Sequence, residues 1–172
     1  MPRTTLRRRL AAFSAATAAA LALAVTVAAP AQAAQSDPLR DEARRIMSMD
    51  YQTFVDHKAN VAYPTAFNWT DDGCSGPQEV RWIYRDLFEK ACEQHDFGYR
   101  NYGLETGGLH LGPNEDTRAW IDRRFSEEMR RTCARSFSKP WQTYNRIFCD
   151  GQAAHVFAAV RNAKEAKDSF YS

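Results

Sequence analysis

Four cysteines, Cys74, Cys92, Cys133 and Cys149, constrain this chain more than any other feature. An even set in a short exported domain forms two cross-links, which hold a core too small to be secure alone. Four cysteines allow three pairings, and the sequence does not choose among them. Zinc is the rival use. The 18- and 16-residue intervals lack the close Cys-x-x-Cys pairs that zinc sites show, so disulfides are the expectation. Disulfides need an oxidising compartment, which makes the start of the chain important.

The start reads as a targeting segment. Arg3, Arg7, Arg8 and Arg9 give a positive end, an Ala/Leu/Val-rich run follows from Leu10 to Ala29, and Ala31-Gln32-Ala33 is a small-x-small cleavage pattern. That is the layout of a secretory signal peptide over residues 1–33, with cleavage near Ala33 and the protein outside the cell. A single membrane anchor is the competing reading, since the run approaches spanning length. The Ala-rich composition, Pro30 and the cleavage pattern favour the leader. The arginine cluster is also compatible with twin-arginine export. No later stretch is apolar enough to span, so no transmembrane segment remains after processing.

The leader also explains the basicity. The whole chain carries +2, but four of its 23 Lys+Arg and none of its 21 Asp+Glu lie in residues 1–33, so the remainder carries −2. No positive field is left to recruit nucleic acid, and none is expected as a partner. The cluster Arg123, Arg124, Arg130, Arg131 and Arg135 reads as a solvated helix face.

With 172 residues, only 8 Gly and 7 Pro, one domain over 34–172 is expected, and it reads as all-α. Residues 38–57 carry Leu39, Ala43, Ile46, Met47 and Phe54 at near-helical spacing, with Asp37 as cap and Pro38 in the first turn. This N-terminal extension, 34–58, either packs on the core or covers the site. Residues 60–77 read as a loop, 78–102 as a long helix ending at Gly103, and 103–114 as a glycine-rich loop with room for a two-stranded hairpin near 104–112. Residues 115–135 place Ile121, Phe125, Met129 and Cys133 four apart on another helix. Pro140 ends the segment before it, and Asp150-Gly151 marks a turn from which Asp150 caps a last helix to about residue 167. The expected fold is a small disulfide-linked domain in which two long antiparallel helices carry the site.

The chemistry concentrates in Ala91-Cys92-Glu93-Gln94-His95-Asp96-Phe97-Gly98-Tyr99-Arg100-Asn101-Tyr102. On a helix, His95 shares a face with Phe88, Ala91, Cys92 and Tyr99, so it points to the apolar side. A helical histidine there is ordinarily a core residue tied to a carbonyl or carboxylate. Two features argue for more. Asp96 follows it directly, and Asp122 sits on the apolar face of the next helix beside Phe125 and Met129. A buried carboxylate is costly unless paired, and an imidazole on the facing helix would pair it. Such a pair can activate a water for hydrolysis. Asp96 is then free for another task, and Asp71-Asp72-Gly73-Cys74 offers hard oxygen donors that suit calcium rather than zinc.

These residues carry a resemblance. The His95 segment resembles the active-site helix of the secreted prokaryotic and fungal phospholipases A2, the small helical group known from Streptomyces. Phe67-Asn68-Trp69-Thr70-Asp71-Asp72-Gly73-Cys74 resembles that family's calcium loop, and Arg118-Ala119-Trp120-Ile121-Asp122-Arg123-Arg124-Phe125 its following helix. The likeness covers about residues 64–162. It implies His95 as general base, Asp122 as its orienting partner, and Ca²⁺ held by Asp72 and Asp96 side chains and the Gly73 carbonyl. It also implies Cys74–Cys92 and Cys133–Cys149 disulfides. Asp71 is the alternative to Asp72, and spacing to Cys74 favours Asp72. Position 73 departs from the family, where a larger apolar residue is expected, and the 104–114 loop is long.

The activity so implied is calcium-dependent phospholipase A2: hydrolysis of the sn-2 ester of a glycerophospholipid by a monomer at a membrane or micelle surface. Trp69, Trp82, Ile83, Tyr84, Leu87 and Phe88 are the apolar residues placed to meet lipid, and at least one of the Trp82-Ile83-Tyr84 run should face outward. His57, His110 and His155 lack a comparable carboxylate setting and receive no chemistry. Two other classes are weighed: a non-catalytic secreted binding or toxin-like module with the same fold, and a secreted nuclease. The first is expected to lack His95, Asp96 or Asp122, and the second to carry a basic stripe.

Overall fold

The computed structural model describes residues 37–62, 65–75, 83–105 and 107–172, and the segment 1–33 expected to be a signal peptide lies outside them. Helices α1 (Pro38–Met47), α2 (Tyr51–Ala59), α3 (Arg85–Tyr102), α4 (Glu115–Ser136), α5 (Thr143–Asn162) and α6 (Lys164–Tyr171) follow in order, with a 3-10 turn over Pro140–Gln142. There is no strand among the described residues, so the domain is all-α. No helix among them is long and apolar enough to cross a membrane.

The caps explain the first boundaries. Asp37 accepts from the Leu39 and Arg40 amides at the start of α1, as its place before Pro38 suggests. The single helix expected over 38–57 is two. Asp50 turns its carboxylate onto the Gln52 and Thr53 amides and starts α2 afresh after a break at Ser48–Asp50. A side chain that bonds the backbone locally competes with helix continuation, and here it wins. The first two helices bury Ala43, Ile46, Met47, Tyr51 and Phe54, so they pack on the core.

The central helix pair differs little from expectation. Described helix α3 begins at Arg85, after a turn at Ile83 and Tyr84; residues 78–82 lie outside the described part. It stops at Gly103, whose added Cβ would lie 2.6 Å from the Phe170 carbonyl oxygen, so close approach rather than a left-handed turn requires glycine there. Among its described residues the segment after it forms no hairpin. The Leu111 and Gly112 amides instead donate to the Asn101 and Tyr102 carbonyls, folding the loop back on the last turn of α3. Asn114 caps α4 through the Thr117 amide.

Two further expectations fail in the last third. Asp150-Gly151 is not a turn but lies within α5, because Cys149, Ala153, Val156 and Val160 form one buried face that the helix must present without interruption. That helix ends at Asn162, where extended Ala163 separates it from α6.

Both disulfides form as the resemblance implies, Cys74–Cys92 and Cys133–Cys149. The first clamps the 65–75 loop to α3, and the second joins α4 to α5. The core has two lobes. One gathers Ile46, Phe54, Trp69, Phe97, Ile121 and Phe170. The other gathers Phe88, Phe125, Met129, Val156 and the Cys133–Cys149 bridge. Helices α3 and α4 cross closely at Gly98, where an added Cβ would sit 2.7 Å from Ile121 Cγ2. Ile121 is fully buried and has nowhere to move. Gly98→Ala is therefore expected to lower unfolding stability by about 1–3 kcal/mol, despite the better helix propensity of alanine, in chemical denaturation.

Candidate active site

The α3–α4 crossing sets His95 against Asp122. Their Nε2 and Oδ1 atoms are 2.9 Å apart, and the Asp122 side chain has no solvent exposure. A carboxylate only accepts, so Nε2 carries the ring proton and Nδ1 is the nitrogen able to take another. The imidazole is held between Tyr99 and Phe125, with ring centroids 4.3 and 4.6 Å away.

Asp122 is unusually well supplied. Tyr99 donates its hydroxyl to Oδ1 at 2.9 Å. Arg161 donates to Oδ2 at 2.8 Å, and Arg118, one turn earlier on the same helix, reaches that oxygen at 3.4 Å. Burial alone would push the Asp122 carboxyl up. The His95 hydrogen bond and charge, then the Arg161 and Tyr99 hydrogen bonds, outweigh it and hold the group below the usual carboxylate range. Tyr99 shifts the other way: burial, then the Asp122 charge, keep its hydroxyl protonated well above the ordinary tyrosine range.

His95 lines a cavity of about 660 Å³. Asp72, Gly73 and Asp96 line it too, along with Arg100, Glu105, Phe125 and Val160. The loop is tied down from three sides. Asn101, fully buried on α3, exchanges two hydrogen bonds of 2.8 Å with the Asn68 main chain. The Cys74–Cys92 bridge holds its far end. Lys58 binds Asp71 at 2.5 Å and Glu93 at 2.8 Å. Asp71 is thus committed to Lys58, while Asp72 faces the cavity and gives its amide to Asp96 Oδ2 at 3.0 Å. Of the two adjacent aspartates, Asp72 is the one beside Asp96.

These groups fit a hard divalent cation. Asp72, Gly73 and Asp96 all line the cavity, and their two carboxylates and one main-chain carbonyl are oxygen donors. Burial pushes the Asp96 carboxyl up to about 7, against the charges of His95 and Arg100 and the Asp72 amide, which lower it. A carboxyl so short of compensating charge is a natural ligand. The Gly73 carbonyl accepts from the Ser75 amide at 2.8 Å and has a second lone pair to offer. Gly73 itself has φ +65°, the left-handed region, which accounts for glycine at this position. No group of three or more His, Cys, Asp or Glu side chains gathers among the described residues, so water and substrate oxygens would complete the coordination.

Several site residues escaped the sequence reading. Arg118 carries a signal, since it lies four residues before Asp122 and so on its face, whereas Arg161 carries none. Asn101 carries a weaker one: an asparagine inside a helix can bond backbone elsewhere, as it does here at Asn68. Helix α6 contributes Glu165, Ala166 and Ser169 to the cavity wall, and buried Phe170 packs on Tyr99 at 5.0 Å between ring centroids. Nothing in its sequence marks that placement. Of the residues picked to meet lipid, Trp69 and Phe88 are core and Leu87 is half-buried. Ile83 is exposed, and Trp82 lies outside the described residues.

The model of the prokaryotic phospholipase A2 family matches residues 43–164, from within α1 to the start of α6. The chain belongs to that family. A fungal relative, named a secretory phospholipase A2, from Beauveria bassiana (strain ARSEF 2860), is 33% identical over 109 residues, covering 62% of this chain and 53% of its own. The chain spans about half the length of this curated relative.

Proposed function

We propose that the protein is a secreted, calcium-dependent phospholipase A2 that hydrolyses the sn-2 ester of glycerophospholipids to a lysophospholipid and a free fatty acid. The observation that carries this reading is the His95–Asp122 pair, 2.9 Å apart, lining the same cavity as Asp72, Gly73 and Asp96. His95 Nδ1 takes a proton from water, whose oxygen attacks the ester carbonyl. Asp122 fixes the tautomer and stabilises the imidazolium as it forms. The imidazolium then returns a proton to the departing lysophospholipid oxygen. Phe125, Val160 and Ala166 give the cavity the apolar wall that an acyl chain needs. Asp72, Asp96 and the Gly73 carbonyl would hold Ca²⁺, which when bound neutralises the lipid phosphate and the charge developing on the carbonyl oxygen. The disulfides, the relative named as secretory, and the leader-like residues 1–33 support export.

Asp96→Asn removes a ligand charge and leaves His95 in place. It is expected to raise the calcium concentration for half-maximal activity by roughly 10–100-fold, with most of the rate recovered at saturating calcium. Fatty-acid release from mixed micelles across a calcium titration measures this. Equal activity of the parent protein in calcium and in chelator would remove the metal from the account.

A further inference from the structure

The start of α5 carries a surface that the hydrolytic site does not use. Trp141 is 80% exposed, Tyr144 79%, Ile147 66% and Phe148 42%. Four of the eight large exposed hydrophobics among the described residues therefore fall within one stretch of eight. A fifth, Ile83, directly precedes Tyr84, which stacks edge-on to Phe148 with ring centroids 6.1 Å apart. Every residue from Thr143 to Phe148 is exposed, whereas the opposite face of the same helix, Cys149, Ala153 and Val156, is buried. Such clustering marks an interaction surface rather than scattered apolar exposure.

We propose that this face is where the protein rests on a phospholipid layer, an inference that deepens the hydrolytic reading. Three features select lipid as the occupant. First, Trp and Tyr have an apolar body and a polar tip, the combination that settles at headgroup level. Second, Lys139 and Arg146 flank the aromatic side chains and are exposed, and the acid nearest Arg146 is Asp150 at 4.0 Å. Cations beside an apolar wedge match anionic headgroups. Third, backbone adjoining this face reaches a residue of the cavity wall. Tyr84 precedes Arg85, whose carbonyl lies 3.6 Å from Cys74 Sγ, and Cys74 lines the cavity.

The test separates binding from hydrolysis by using full-length processed protein carrying His95→Ala. This protein is expected to sediment with phosphatidylcholine vesicles containing phosphatidylglycerol. Brominated lipid should quench Trp141 fluorescence, a signal lost in Trp141→Phe. Adding Trp141→Ala and Ile147→Ser should weaken vesicle partitioning by on the order of tenfold or more. In the active protein the same pair should lower turnover on vesicles but not on a dispersed short-chain phospholipid. Unchanged vesicle binding by the double variant would overturn the proposal. So would a parent dimer in sedimentation velocity that the double variant splits, since the face would then join two copies. Vesicle binding by the inactive protein, with no fatty acid released by the active one, would instead leave this surface standing and sink the hydrolytic reading.

Discussion

His95→Gln is expected to cut phospholipid hydrolysis by on the order of 10³–10⁴-fold while leaving the fold intact. The size follows from the role. A general base contributes through one nitrogen, and glutamine has none that takes a proton at neutral pH. The fold should survive because glutamine can still donate to Asp122, and because Tyr99, Arg118 and Arg161 also supply that carboxylate. Circular dichroism and a thermal midpoint within a few degrees of the parent would show that activity alone was lost. Retained activity in a folded His95→Gln protein would remove the histidine from the mechanism.

Asp122→Asn should behave differently, losing both activity and stability. The substitution leaves the Arg118 guanidinium, on a side chain only 1% exposed, without the charge that faces it. Breaking a buried ion pair from one side costs about 3–5 kcal/mol. The lower end applies here, because Glu115 still contacts both Arg118 and Arg161. Activity should fall too, since an amide can present the wrong partner to Nε2 and cannot stabilise the imidazolium. The contribution has a pH signature. The folded Asp122 carboxyl sits below the ordinary range, so its stabilisation is present above an unfolded value of about 4 and is lost as pH falls through the folded value. The stability gap between parent and variant should therefore narrow in acid, below about pH 4. Urea denaturation at neutral and acid pH measures it. A variant as stable as the parent at neutral pH would contradict the ion-pair reading.

The parts of the site legible in sequence were those set by helical periodicity. His95 on the apolar face of one helix and Asp122 on that of the next could be paired on paper, because an unpaired buried carboxylate is too costly to leave alone. The Asp72–Cys74 stretch announced itself through oxygen-rich residues beside a cysteine. What periodicity could not reveal was decided by side-chain bonds to backbone, by packing and by distant contacts. The break before α2 depends on Asp50 preferring amides to solvent. The unbroken passage of α5 through Asp150 and Gly151 depends on a buried face secured by Cys149. Arg161 reaches Asp122 from 39 residues away, and no local pattern marks an arginine for that use. The last helix expected to end near residue 167 stops short of Phe170, whose packing against Tyr99 places α6 at the cavity wall.

The most direct test of the central claim uses phosphatidylcholine with different acyl chains at sn-1 and sn-2, presented in mixed micelles to the processed protein with calcium or with chelator. The expected result is release of the sn-2 acid alone, in calcium alone. Release of the sn-1 acid, or no release from a folded protein with both disulfides intact, would contradict it.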